Sequence, residues 1–268
     1  MTLLDRTRPE EKETFAAPYD AMAPHYEAFV GSTETTRYYE WLEGLLELPA
    51  AVGVTGGRAL DIGCGTGRSM LALRAAGFDA AGIDPSRGMM EIARERLGAD
   101  AVLEVGGLPN LPDGPPAALV TAFNDIINCV GTSRLGEAMG SMAARVAPGG
   151  ALLFDSNAPL TFKTFFGSTF ARAEDDLFLV WESLGAVEDN GYRADLHAFE
   201  IDPETPGRWK RSVSHHLQHL HPHAAIVAAI EAAGLELVLV QGQRDSGPRD
   251  HHFDEEIHSK RIYLARRP

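Results

Sequence analysis

A chain of 268 residues, 44% hydrophobic and 23% charged, can bury a full core, and one large domain, with or without an insertion, accounts for its length. Its 38 acidic against 24 basic residues give a net charge of -14, which excludes a uniformly basic, phosphate-tracking surface and disfavours a long nucleic acid as substrate. With only Cys64 and Cys129, no charged-then-apolar leader and no apolar run near the roughly 20 residues that cross a bilayer, neither a disulfide framework, export nor membrane insertion is expected, and the cytoplasm is the expected location.

Residues 1–14 are mostly charged and polar and read as a loosely held tail. From Pro18 to Val30, Tyr19, Met22, Tyr26, Phe29 and Val30 recur at near-helical spacing around Pro24, which predicts one or two short helical pieces. A second helix is predicted over Thr36 to Leu48, burying Tyr39, Leu42, Leu45 and Leu46 and ending before Pro49. Arg58 to Ile62 is a short apolar strand, followed by a glycine-rich turn and a helix carrying Met70, Leu71 and Leu73 as far as Gly77. The unit repeats with a strand over Ala80 to Ile83, a turn at Asp84-Pro85-Ser86 and a helix from Met89 to Leu97, stopped by Gly98.

Ala101 to Val105, Ala117 to Phe123 and Ala151 to Asp155 read as further buried strands, the last two separated by a helix from Ser133 to Val146 and a Pro148-Gly149-Gly150 turn. This alternation predicts an α/β fold, a doubly wound and mostly parallel sheet with helices on both faces. Between Asn157 and His223 the rhythm breaks into three strands, Leu177 to Leu184, Tyr192 to Ile201 and Arg208 to Leu220, an antiparallel insertion expected over the carboxyl end of the sheet. A helix from His223 to Ala233 and strands over Leu235 to Val240 and Arg261 to Leu264 close the fold. The expected organisation is an amino-terminal tail and helical lid over residues 1–50, a core over 51–157 and 223–268, and the insertion over 158–222.

The string Asp61-Ile62-Gly63-Cys64-Gly65-Thr66-Gly67 lies between a strand and a helix, where glycines let the backbone bend tightly and approach a ligand. A dinucleotide-binding GxGxxG fails in either alignment, because Arg68 or Met70 falls where the third glycine belongs. The string matches DxGxGxG, and the sequence closely resembles class I S-adenosylmethionine-dependent methyltransferases, whose first motif this is. Asp84, 23 residues after Asp61, stands where the family places its ribose-binding acid. Asp84-Pro85-Ser86-Arg87-Gly88-Met89-Met90 resembles the second motif, with Met89 against the adenine face, and Val146-Ala147-Pro148-Gly149-Gly150 resembles the turn before the fifth strand.

The resemblance covers residues 15–157 and 223–241. It implies a Rossmann-like sheet of seven strands and S-adenosylmethionine as cofactor, bound by Asp61, Gly63, Gly65, Gly67, Asp84, Pro85, Met89, Leu108 and Phe123. The family commonly carries an acid for the adenine amino group after the third strand. Here Gly106-Gly107-Leu108 stands there, so backbone near Leu108 together with Met89 is expected to hold the base.

Ligands of open α/β sheets sit beyond the strand carboxyl ends, which brings Phe123-Asn124-Asp125-Ile126-Ile127-Asn128 to the reacting methyl. Enzymes that methylate base nitrogens carry Asn or Asp, Pro-Pro and an aromatic there, and this chain does not, so the resemblance is nearer to small-molecule N- and O-methyltransferases, those acting on amino sugars and natural products included. The candidate catalytic residues are Tyr19, Tyr26, Phe123, Asp125, Asn128 and His219, with Tyr19 and Tyr26 in a segment resembling the family's mobile lid. The plainer alternatives are that the tyrosines line an apolar face and that Asp125 and Asn128 cap a strand end.

Of the histidines at 215, 216, 219, 221 and 223, strand alternation sends His216 to one face and the rest to the other. Without an evident acid or cysteine partner no metal is expected, and one of His216, His219 or His221 is expected to reach the acceptor as a proton acceptor. The lack of a readable His-Asp dyad favours an amine over a hydroxyl as acceptor, because a neutral amine attacks without a strong base. The expected partner is a small-molecule acceptor, with no nucleic acid and no membrane, and a homo-oligomer is left open. A rival reading keeps the fold and the cofactor site but uses them as a scaffold or for a reaction without methyl transfer.

Overall fold

The computed structural model describes residues 16–30, 32–174, 176–202, 204–205, 207–244 and 249–268, so the expected tail over 1–14 lies outside the described residues. The first helices are Ala16–Met22 (α1), Tyr26–Val30 (α2) and Ser32–Leu46 (α3), and Pro24 sits in the 3-10 turn Ala23–His25 between the first two. Helix α3 starts before the expected Thr36, because the polar run Ser32-Thr33-Glu34-Thr35 forms its opening turns.

Five parallel strands follow, Gly57–Ile62 (β1), Phe78–Asp84 (β2), Val102–Val105 (β3), Ala117–Ala122 (β4) and Val146–Asn157 (β5). Arg68–Ala75 (α4), Arg87–Leu97 (α5) and Leu135–Arg145 (α6) make the crossovers, and Ser86 caps α5 by accepting the Met89 N–H at 3.1 Å. After Pro159–Thr164 (α7) come Phe170–Glu174 (β6), Leu177–Ala186 (β7), Gly191–Ile201 (β8) and Trp209–His219 (β9), an antiparallel sheet in chain order. His223–Ala232 (α8), Glu236–Gln243 (β10), Arg249–Asp250 (β11) and Lys260–Arg266 (β12) complete the described chain.

The main sheet runs β11-β10-β12-β5-β4-β1-β2-β3, eight strands where seven were expected; the extra one, β11, is a two-residue edge that no apolar run announces. The chain winds from β1 outward to β3, then restarts at β4 on the other side of β1, so the switch point of the topology falls between β1 and β4. Alternation along the strands explains two cores. Leu60, Ile62, Leu152 and Phe154 face α6 and α8, while Ala59, Leu119, Leu153 and Ile262 face α3, α4 and α5. A third core joins Met22, Phe162, Phe166, Leu179, Trp181 and Leu196 between the amino-terminal helices, α7 and the second sheet.

Two expectations are corrected by the sheet. Strand β3 is not buried, since it pairs only with β2 and leaves Val102 56% and Val105 40% exposed at the edge. Pro148-Gly149-Gly150 is not a turn ahead of a strand but a bulge inside β5: the register with β4 slips between Ala117↔Val146 and Leu119↔Ala151, and Gly149, at φ +75°, absorbs the bend. Helix α7 and strand β6, between Asn157 and Leu177, had no expected counterpart. No helix among the described residues is long and apolar enough to cross a membrane.

Candidate active site

A cavity of about 450 Å³ opens over the carboxyl ends of β1, β4 and β5, in the range of about 300–1,000 Å³ usual for small-molecule sites. The glycine turn forms one end. Gly63 and Gly67 hold φ of +71° and +80°, and a Cβ on them would stand 2.3 Å from Ile126 Cδ1 and 2.8 Å from Leu97 Cδ1. Gly65, at φ +51°, differs: its Cβ position meets nothing within 4 Å. Two glycines are therefore fixed by packing, and Gly65 alone leaves open space over the turn.

Asp84 lies beneath that space. Its carboxylate accepts the Gly65 and Ser86 N–H groups, each at 2.8 Å, and burial pushes its pKa up to about 6 against those bonds. Two further lone-pair positions remain to accept hydroxyls. Pro85, Met89, Leu108 and Phe123 line the same cavity. The open position at Gly65, a carboxylate with spare acceptors and apolar plates beside it fit a nucleoside cofactor of the S-adenosylmethionine type.

Asp61, expected among the cofactor contacts, does not line the cavity. It is buried and accepts hydrogen bonds from Ser69 Oγ and, at 2.7 Å, from Thr121 Oγ1, tying β1 to α4 and β4 and bracing the turn from behind. Gly67 is likewise absent from the lining, as the N-cap residue ahead of α4.

At the other end, Asn124 and Asp125 hold left-handed φ values of 61° and 57°, a strained pair of non-glycine residues. Asp155 holds them there, accepting the Asn124 N–H at 2.6 Å and the Asp125 N–H at 3.0 Å. Lys260 Nζ stands 2.6 Å from a carboxylate oxygen of both Asp125 and Asp155. Burial opposes the Lys260 charge, but the two carboxylates outweigh it and hold the ammonium well above the usual lysine range. Burial pushes Asp155 up, with Lys260 opposing. Gln218 donates to Asp125 and accepts from Asn157 Nδ2 at 2.8 Å, closing a polar ring drawn from the loop after β4 and from β5, β9 and β12.

The candidate catalytic residues divide. Tyr19, Tyr26, Phe123 and Asp125 line the cavity, whereas Asn128 and His219 do not. Asn128 donates to the His219 carbonyl and accepts the Asn157 N–H, both at 2.8 Å, locking the second sheet to the first. His219 is turned to the β7–β8 hairpin, with Nδ1 3.0 Å from the Asp189 carbonyl. The inward positions of β9 are Ser214, His216 and Gln218, so the histidine that reaches the cavity is His216. Its ring packs edge-on to Tyr19 at 5.4 Å and contacts Trp181 at 5.4 Å, its Nε2 lies 2.9 Å from Ser214 Oγ, and burial lowers its pKa to about 4. Three possible metal ligands, Glu182, Asp195 and His197, converge away from the cavity, where Arg211 also reaches His197 at 2.8 Å.

The amino-terminal helices cover the cavity. Glu27 accepts from Thr66 Oγ1 at 3.0 Å and from Arg96 at 2.7 Å, so α2 is fastened directly to the glycine turn. Tyr19 and Tyr26 face inward beside it; the neighbouring Cys129 and burial hold the Tyr19 hydroxyl well above the usual range, and burial lifts Tyr26 to about 12.

A family model described as a methyltransferase domain matches residues 59–150, the span holding the glycine turn and Asp84. The dTDP-3-amino-3,4,6-trideoxy-alpha-D-glucopyranose N,N-dimethyltransferase of Streptomyces venezuelae is 31% identical over 189 residues, 68% of this chain and 77% of that one. Among solved structures, an S-adenosylmethionine-dependent methyltransferase of Clostridium acetobutylicum superposes with a TM-score of 0.73 at 20% identity, covering 85% of this chain and 92% of its own. A sugar N-methyltransferase from Streptoalloteichus gives 0.69 at 19% identity, covering 100% and 99%. With the glycine turn, the acid after β2 and the sheet topology in place, the chain belongs to the S-adenosylmethionine-dependent methyltransferases.

Proposed function

We propose that the protein transfers a methyl group from S-adenosylmethionine to an amine nitrogen of a small molecule, acting in the cytoplasm. The observation that carries this reading is that, among the described residues at the acceptor end of the cavity, each proton acceptor is either weakly basic or already engaged. His216, with a pKa near 4, is only weakly basic, Lys260 is held protonated, Asp125 is tied to Lys260 and Gln218, Tyr19 and Tyr26 keep their protons, and Asp84 lies at the glycine-turn end, engaged by the Gly65 and Ser86 N–H groups. A hydroxyl acceptor needs a base to take its proton, whereas an amine reacts once bulk solvent has taken its proton. The names of the Streptomyces and Streptoalloteichus relatives, both N-methyltransferases of sugars, support a nitrogen acceptor.

When bound, the cofactor supplies a methyl on a sulfonium, whose departure needs no acid. The residues of the chain then bind, align and exclude water. Gly65 and Asp84 would hold the ribose end, and Met89 and Leu108 the base. Asp125, fixed by Asp155 and Lys260, offers a carboxylate to the amine N–H. Asp125 and Asp155 set two carboxyl groups against the single ammonium of Lys260, an arrangement that favours the cationic nitrogen that methylation creates.

The test is incubation with methyl-labelled S-adenosylmethionine and a panel of amines and alcohols, with the site of label read by mass spectrometry and NMR. The rate should rise with pH through the acceptor's own ammonium pKa and then level off. A methyl found on oxygen or carbon overturns the proposal.

A further inference from the structure

The acceptor end of the cavity is aromatic to a degree that amine recognition does not require. Phe29, Phe165, Phe166 and Trp181 all line it. Trp181 lies 4.8 Å from Phe165 and 5.7 Å from Phe29, centroid to centroid, and is 4% exposed. The indole N–H is spent on the Phe165 carbonyl at 3.3 Å, so what Trp181 offers a ligand is its apolar ring. The neutral His216 ring continues the wall toward Tyr19.

The charges of the cavity complement this. Two described cations line it, Arg68 and Lys260. Lys260 is shared by Asp125 and Asp155. Arg68, next to the glycine turn, stacks on Tyr38 at 4.8 Å and stands 3.8 Å from Glu27, and its Nη2 is buried without a hydrogen-bond partner. Each cation thus already faces a carboxylate, Arg68 at the glycine-turn end and Lys260 in the polar ring, and the carboxylates of Asp84 and Asp125 stand on either side. An acceptor carrying a phosphate or diphosphate would bury that charge without a partner. An aromatic ring would stack on the wall, and its amine, once methylated and cationic, would lie beside Asp125 and the aromatic faces.

Building on the amine reading above, we propose that the acceptor is an unphosphorylated arylalkylamine, its ring seated against Phe165, Phe166 and Trp181 and its nitrogen directed to Asp125. The nucleotide part of the substrate that names the Streptomyces venezuelae relative has no counterpart in this recognition.

The experiment uses the full chain loaded with S-adenosylhomocysteine. Calorimetry of that loading step tests the cofactor site separately, and failure there brings down the methyltransferase reading along with this one. The loaded protein is then titrated with 2-phenylethylamine, tryptamine and thymidine diphosphate, followed by calorimetry and tryptophan fluorescence. The two amines should bind and thymidine diphosphate should not. Trp181→Ala should weaken amine binding by about tenfold, with S-adenosylhomocysteine affinity preserved and Trp181→Phe restoring most of the loss. Should Trp181→Ala not fold, Phe165→Leu carries the same expectation. Binding of thymidine diphosphate, binding of neither amine, or amine affinity unmoved by these substitutions overturns the proposal.

Discussion

Replacing Lys260 by Met removes the ammonium that lies between two carboxylates while keeping the bulk of the side chain. The side chains of Asp155, Asp125 and Lys260 are 0%, 19% and 23% exposed, so the cluster lies nearer the buried limit than the surface one. Removing one partner of a buried pair costs about 3–5 kcal/mol, against about 1 kcal/mol or less for an exposed pair. Asp155 keeps its two backbone donors in the variant, which places the expected loss near the lower figure. At about 2–4 °C per kcal/mol, Tm at pH 7.5 should fall by roughly 6–12 °C. The pH dependence has a definite sign. Burial already raises Asp155, and loss of the ammonium raises it further. An acid whose pKa is higher folded than unfolded favours the fold when protonated, so its contribution is present at low pH and is lost as pH rises through the folded value. The deficit should therefore shrink as pH falls from 8 to 5, followed by circular-dichroism melts of both proteins. A variant melting within about 2 °C of the parent at pH 7.5, or a deficit that grows on acidification, refutes the reasoning.

Asp84, raised to about 6 by burial, must be ionised to accept two ribose hydroxyls, so S-adenosylhomocysteine affinity should drop toward about tenfold per pH unit below that value; calorimetry giving a flat profile from pH 5 to 8 contradicts its role. Gly65→Ala places a methyl group over the turn at φ +51°, and should lose about 1–2 kcal/mol of stability in denaturant melts together with cofactor affinity, whereas unchanged affinity would show that the open position is not used. His216→Phe keeps the ring, and should cost the methylation rate far less than the factor of about 10²–10⁴ that a general base supplies, so a loss of that size would make the histidine a base after all. Glu27→Ala should leave overall stability within about 1 kcal/mol but speed proteolysis of residues 18–30 in the cofactor-bound protein, and identical cleavage would mean that its bonds to Thr66 and Arg96 do not hold α2 down.

What the sequence made legible is what is local. The glycine turn, the acid after β2 and the strand–helix alternation each occupy a short stretch, and each stands where it was expected. Alternation also separated His216 from the other histidines, but it cannot say which face of a strand looks inward, and the choice of His219 failed on that point. Lys260 and Gln218 carry no local mark. They reach Asp125 across 135 and 93 residues of chain, through pairings that only the folded sheets create. Asp155 was the one recoverable omission, since it sits at the carboxyl end of a predicted strand. Phe162, Phe165 and Phe166 stand at helical spacing, but over too short a stretch to mark a helix by themselves, and α7 ends at Thr164 before the last two; the Phe166 ring meets both of the others once folded. Edge position is likewise a property of the sheet, which is why β3 looked buried.

Strand β12 lies between β10 and β5, antiparallel to both, and its first residue is Lys260. Until it inserts, β5 and β10 each face an empty lane, and Asp125 and Asp155 repel each other with no counter-ion. Closure of the reaction site thus depends on the long-range pairing of β12 with β5 as well as on its pairing with β10. The strand that brings the ammonium to the polar ring is therefore also the strand whose Ile262, Tyr263, Leu264 and Ala265 close both cores, so the charge balance of the reaction site and the closure of the sheet stand or fall together.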